Sequence, residues 1–249
     1  MTGRSALVTG ATGFLGQNLV DQLHARGWKI TVLVHSTGTR IFDGLVGLQF
    51  VQGDLQDRAR LTEAIPQGVD CVFHLAGDTS FWRPNNARQH AINVDGTSNL
   101  LKAAAAKQAS KVVYTSTVGV YGASFSDVSE GSAQRGRGSW IGYINSKAQA
   151  EEVVRDEIRN GGIDVTIMNP CNIVGPHDKK NWARMFTMIE NGSLPWVPCQ
   201  VRVRVFRSVM GGPFESPGFE ARAWRPSHLN QRHRRGSSGR CSGRPAWRR

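Results

Sequence analysis

Two kinds of segment alternate along residues 1–199: short apolar runs, and longer stretches with apolar residues three or four positions apart. Ser5–Thr9 is the first apolar run; Leu15, Leu19, Val20 and Leu23 then mark one face of a helix, ending near Arg26 with Gly27 beyond it. Lys29–Val34 predicts a second strand and Leu48–Val51 a third. Asp57–Ile65 predicts a short helix stopped by Pro66, and Cys71–Leu75 a fourth strand. One long helix is expected from about Asn86 to Lys107 and a fifth strand over Lys111–Ser116. A further helix over Gly142–Arg159, closed by Gly161-Gly162, leads to a sixth strand, Ile163–Met168. The runs lack the strict apolar/polar alternation of a half-solvated sheet. Strands of that kind, separated by helices, indicate an α/β fold: a doubly wound parallel sheet covered on both faces.

After about Cys199 the pattern stops. Residues 1–199 carry 19 Lys+Arg against 17 Asp+Glu, whereas residues 200–249 carry 12 Arg, no Lys and only Glu215 and Glu220. The net charge of +12 therefore belongs almost wholly to this stretch, which is also rich in Gly, Ser and Pro. Such a composition is expected to be disordered, since it buries too little apolar surface to offset the entropy of ordering. Clustered arginine suits phosphate, but the absence of lysine and of a recognisable binding fold argues against nucleic acid. The stretch also looks like an out-of-frame reading of GC-rich coding sequence. A chain of 249 residues suits one ordinary α/β domain. No run of 18 apolar residues exists, so no membrane partner is expected. The start lacks the regions of a signal peptide, and Cys71, Cys171, Cys199 and Cys241 show no paired spacing. Reduced thiols and a cytoplasmic location are expected, and no metal site, since His24 and His90 have no partners at ligand spacing.

Two constellations carry chemistry. Thr9-Gly10-Ala11-Thr12-Gly13-Phe14-Leu15-Gly16 is a G-x-x-G-x-x-G turn between the first strand and its helix. It is either a plain turn or a cradle where backbone N–H groups at a helix start meet a diphosphate. Tyr143-Ile144-Asn145-Ser146-Lys147 places a phenol and an ammonium four residues apart on one helical face. It is either a surface pair or an acid/base, because a neighbouring cation favours phenolate. Thr115-Ser116-Thr117 ends the fifth strand, at the carboxyl edge where open parallel sheets bind ligands. These hydroxyls serve there or cap the strand end.

With Gly53-Asp54-Leu55, His74-Leu75-Ala76-Gly77, Asn93-Val94-Asp95-Gly96-Thr97, Val120-Tyr121-Gly122 and Asn169–Pro176, these motifs resemble the extended short-chain dehydrogenase/reductase family. That family is also known as the NAD-dependent epimerase/dehydratase family, and the likeness is to its dihydroflavonol-reductase-like branch. The resemblance implies a Rossmann-type sheet of order 3-2-1-4-5-6 over residues 1–199, with 175–199 opening a substrate lobe that stays incomplete. It implies that Gly10, Gly13 and Gly16 cradle the diphosphate, with Thr12, Phe14 and Leu15 lining the turn. Asp54 and Leu55 would flank the adenine, and Leu75, Ala76 and Gly77 would pass under the ribose and diphosphate. Pro170 and Ile173 would pack near the nicotinamide. Thr117 would bond the reacting oxygen, Tyr143 would be the acid/base, and Lys147 would hold the ribose and depress the phenol's pKa. Asn93 is as well suited to structure as to catalysis.

An acid at the end of the second strand would indicate NAD. The chain instead reads Val34-His35-Ser36-Thr37-Gly38-Thr39-Arg40, so NADP is preferred, with NAD as the alternative and His35, Ser36 and Arg40 as phosphate partners. Phe81 and Trp82 would wall the substrate or anchor their loop. The implied activity is hydride transfer to or from a secondary alcohol or ketone of a small molecule. The alternatives are a nucleotide-sugar epimerase/dehydratase and a non-catalytic dinucleotide binder. Relatives dimerise through two helices, which makes a homodimer an expectation here.

Overall fold

The computed structural model describes residues 3–35, 38–80, 83–122, 127–179, 182–191 and 193. Ser36, Phe81, Trp82, Cys199, Cys241 and the whole 200–249 stretch, to which several expectations attach, lie outside the described residues.

The strands are β1 (Ser5–Thr9), β2 (Lys29–Val34), β3 (Gln49–Gln52), β4 (Cys71–His74), β5 (Val112–Thr115) and β6 (Val165–Met168). They form one six-stranded parallel sheet of order β3-β2-β1-β4-β5-β6, as expected. The main helices are α1 (Phe14–Ala25), α2 (Arg58–Ala64), α3 (Asn86–His90), α4 (Gly96–Ala106), α5 (Gly142–Arg159) and α6 (Trp182–Glu190). Successive residues of each strand point to opposite faces, and both faces are apolar, which explains the unbroken apolar runs. Leu7, Leu33 and Val72 pack with Leu61 of α2, Leu100 and Leu101 of α4 and Val154 of α5. Ala6, Val8, Val32 and Phe73 face the other way, against Val20 and Leu23 of α1.

Register decides what meets at the carboxyl edge. Thr9 lies opposite His74, and His74 opposite Tyr114. The three chains leaving β1, β4 and β5 therefore emerge side by side: the glycine turn, Leu75–Gly77, and Thr115–Thr117.

The helix expected in one piece from Asn86 to Lys107 is interrupted by a π turn, Ala91–Asp95, between α3 and α4. The cause lies in its side chains. Asn93 spends its amide on the backbone of Asp78, accepting from the N–H (2.8 Å) and donating to the C=O (3.0 Å). Thr97 donates back to the Asn93 carbonyl at 2.6 Å. One widened turn lets the helix dock on the loop after β4 without losing its own ladder, and π turns of this sort collect at functional sites.

Candidate active site

The turn after β1 is built for close approach. Gly10 has φ +69°, and a Cβ there would sit 2.5 Å from the Ala76 nitrogen. A Cβ on Gly16 would lie 2.5 Å from the Ala11 Cα and closer still to the Gly10 carbonyl oxygen. Both positions accept only hydrogen. Gly13 caps α1 without a side-chain bond and the first turn holds no acid, so the partial positive charge of the helix start is not neutralised by a side chain of that turn.

A cleft of about 500 Å³ opens beside this turn. Of the expected cofactor residues, Gly10, Thr12, His35, Asp54, Leu55, Ala76 and Gly77 line it. Gly13, Phe14, Leu15 and Gly16 form the turn and helix start behind it, and Leu75 packs its backbone beneath Gly10. Arg40 is exposed on the 3₁₀ turn Thr39–Phe42, two residues beyond the cleft-lining Gly38, and is not itself among the lining residues. His35 and Asp54, given separate roles from sequence, meet each other at 3.3 Å. Asp78, Arg88 and Ile92 line the cleft without having been singled out; Arg88 and Ile92 are one helical turn apart, the only signal available beforehand.

Beneath the cleft a hydrogen-bond chain fixes the backbone. Thr97 donates to Asn93, so its oxygen receives the Nε2–H of His74 (3.0 Å). The bare Nδ1 then accepts from the Thr9 hydroxyl (2.8 Å), whose oxygen in turn accepts the Ala76 N–H (3.2 Å). Burial holds His74 neutral, pushing its pKa from 6.5 down to about 3, with the Lys147 charge adding to the effect.

The expected catalytic residues Thr117, Tyr143 and Lys147 sit just after β5 and in the first turns of α5. Thr117 caps the turn Val118–Tyr121 by accepting the Gly119 N–H (3.2 Å), and its hydroxyl is near enough to the Tyr143 phenol to pull that group's pKa down. Lys147, one turn along, donates to the Thr115 carbonyl at 2.8 Å and lies 3.5 Å from the Tyr114 phenol oxygen. Its Nζ is 3.6 Å from where a Gly77 Cβ would be, so the ammonium faces the loop under the cleft. Thr117 and Tyr143 are thus brought together, while Lys147, one turn along α5, is engaged by the end of β5. One expectation changes: burial raises the Tyr143 pKa above its ordinary value, the Thr117 hydroxyl only partly offsetting it, and Lys147 does not depress it. The ammonium is turned to Thr115 instead. Burial also lowers Lys147, from 10.5 to about 8, against the opposing pull of Glu151.

The chain after β6 closes the far side. Pro170 accepts the Val118 N–H at 2.9 Å, the Phe14 ring lies 3.8 Å from where a Gly175 Cβ would be, and Ile173 is half-buried in the same loop. Asn93 bonds Ser146 of α5 (3.0 Å) besides Asp78, which makes it a structural tie with its amide fully spent. Glu151, fully buried one turn beyond Lys147, went unnoticed in the sequence. The i, i+4 ladder Tyr143–Lys147–Glu151 was its visible trace. Among the described residues no group of three or more His, Cys, Asp or Glu could hold a metal, and no helix is long and apolar enough to cross a membrane.

A six-stranded parallel sheet of this order, with a glycine turn between its first strand and helix, is a Rossmann-type architecture. The chain belongs to the NAD dependent epimerase/dehydratase family, whose model matches residues 6–203. It is 36% identical over 184 residues to sterol demethylase protein B of Methylococcus capsulatus, an alignment covering 70% of this chain and 53% of that one. It is 33% identical to a 4-hydroxy-2-methyl-3-oxo-4-farnesyl-3,4-dihydroquinoline-1-oxide ketoreductase of Stigmatella aurantiaca, covering 76% and 56%. Among solved structures, the dTDP-glucose 4,6-dehydratase of Streptomyces venezuelae with NAD bound superposes with a TM-score of 0.66 and 32% identity, over 76% of this chain and 62% of that one. The chain spans about half the length of the relatives it matches.

Proposed function

We propose that this chain binds a nicotinamide dinucleotide, NADP in preference to NAD, and interconverts a ketone and a secondary alcohol of a small organic substrate. The carrying observation is the Thr117 hydroxyl acting on the Tyr143 phenol, with a buried lysine one helical turn on whose Nζ lies beside Gly77. The fit of the dinucleotide rests on the glycine cradle, where a Cβ at Gly10 would close the space, and on the free N–H groups of α1. The cleft-lining residues from Thr9 to Ile92 would hold the adenosine and diphosphate, and Lys147 the ribose hydroxyls. When bound, the nicotinamide supplies or accepts the hydride. Tyr143 gives its proton to the substrate oxygen during reduction and takes it back during oxidation; Thr117 donates to the same oxygen and orients it. A phenol raised by burial keeps its proton at neutral pH, which suits ketone reduction, while alcohol oxidation gains as pH rises.

The preference for NADP is supported by the absence of an acid at the end of β2 and by His35 at the cleft mouth. The test is thermal stabilisation by NADPH and NADH, followed by reduction of a carbonyl panel by the wild type and Tyr143→Phe. NADPH should bind the tighter, and the variant should lose at least ~10²-fold in turnover. Tenfold tighter NADH binding would refute the preference, and unchanged turnover would refute the acid/base. The likeness to a dTDP-glucose dehydratase supports a second reading, a nucleotide-sugar epimerase or dehydratase, for which NAD would be retained through purification.

A further inference from the structure

Glu151 is a carboxylate with no exposed surface, and four donors from four parts of the chain converge on it. Ser116 Oγ (2.6 Å) and Asn169 Nδ2 (2.9 Å) donate to Oε2; Arg155 Nη2 (2.7 Å) and Gln134 Nε2 donate to Oε1. A buried ion of this kind is an expensive way to join elements, since a packed apolar residue commonly does so at no loss of stability. Its partners indicate what else it does. Ser116 immediately precedes Thr117, and the Asn169 amide that bonds Glu151 also donates to the Thr117 carbonyl at 3.3 Å. Tyr143 and Lys147 stand two turns and one turn before Glu151 on the same face of α5.

We propose that Glu151 is a positioning residue: it registers the end of β5 against α5 so that Thr117 meets Tyr143, and its charge, one helical turn away on the same face, holds that of Lys147 beside Gly77. Burial alone raises the Glu151 pKa, but the bonds from Ser116, Arg155, Asn169 and Gln134 outweigh it and leave the group ionised. The other ionisable groups around Lys147 cannot take its place. Tyr114 of β5 is kept protonated by burial, His74 of β4 is neutral, and Tyr143 is a raised phenol. Asp78, across Gly77, is held by Arg88 at 3.1 Å.

The decisive variant is Glu151→Gln, which keeps shape and removes charge. In the cofactor-free protein, ¹³C NMR of lysine Cε, with the Lys147 signal identified by its loss in Lys147→Met, should show a midpoint about one pH unit below the wild type. A midpoint within about 0.3 of the wild type overturns the proposal. The binding arm rests on the dinucleotide reading above. If the midpoint falls from about 8 to about 7, the charged fraction at pH 8 drops from about one half to about one tenth. NADPH should then bind roughly fivefold more weakly to the variant at pH 8, yet within about twofold of the wild type at pH 6. Equal weakening at both pH values would mean a purely structural role and would also overturn the proposal. If Glu151→Gln does not fold, reciprocity supplies the measurement: in Lys147→Met the Glu151 carboxyl should titrate about one pH unit higher than in the wild type, and an unmoved carboxyl overturns the idea. A wild type that binds neither NADPH nor NADH would sink the dinucleotide reading, while the two NMR titrations would still judge Glu151.

Discussion

Replacing Gly16 with alanine sets two effects of opposite sign against each other. Gly16 is the third residue of α1, and glycine inside a helix costs about 1 kcal/mol relative to alanine. Propensity alone therefore expects a more stable protein. The position is completely enclosed, however: the added methyl would stand 2.5 Å from the Ala11 Cα, about 1 Å inside ordinary carbon–carbon contact. The obstructing atoms are backbone of the turn itself, which cannot swing aside as a side chain would. Overpacking of this sort costs about 3 kcal/mol, at the upper end of its usual range. The net loss is about 2 kcal/mol, or roughly 4–8 °C in Tm for a domain of this size. Gly13→Ala is the control: its Cβ would lie 3.2 Å from the Gly10 carbonyl oxygen, so stability should fall by less than about 1 kcal/mol. That methyl stands instead where a diphosphate would approach. Guanidinium denaturation of the three proteins with matched slopes is the assay. Gly16→Ala melting as high as the wild type would refute the steric argument.

Other outcomes follow from the buried groups. Since His74 is neutral in the fold and titrates at 6.5 when unfolded, the unfolded chain binds the extra proton between pH 6.5 and about 3. Stability is fully present above 6.5 and falls as the pH drops, by about 2 kcal/mol at pH 5; denaturation at pH 7 and 5 should show this, and a flat profile would contradict it. Lys147 gives the opposite window: stability should rise from pH 8 to 10.5 as the unfolded chain keeps a proton the folded one has shed, and Lys147→Met should abolish that rise. Asn93→Ala would orphan the N–H of Asp78 and leave its C=O only the long bond from Gln89 (3.4 Å), costing about 1–3 kcal/mol, measurable as a lowered denaturation midpoint; an unchanged midpoint would contradict the tie.

The strands were legible because a two-faced sheet leaves unbroken apolar runs, their order because the motifs resemble a family of that topology, and the glycine turn and Tyr143–Lys147 because their geometry is local. Contacts between distant residues were not. Nothing in the string says that His35 meets Asp54 or that the Asn86–Lys107 helix widens at Asn93. Each depends on where another element lies. Glu151 falls between the two cases: its spacing from Lys147 was visible, but its worth comes from Ser116, Gln134 and Asn169, which only folding brings to it. The sign of the Tyr143 shift was missed for the same reason, since burial cannot be read from a four-residue spacing.

The central claim is that the amine of Lys147 belongs to the dinucleotide site, and NADPH affinity of Lys147→Met tests it most directly. The variant's melting temperature without ligand, measured alongside, shows whether it is folded at the assay temperature and so separates weaker binding from unfolding. The expected result is a Kd at least about tenfold weaker at pH 7, the loss of one charge-assisted hydrogen bond. An unchanged Kd in a folded variant would place the lysine outside the site and contradict the account.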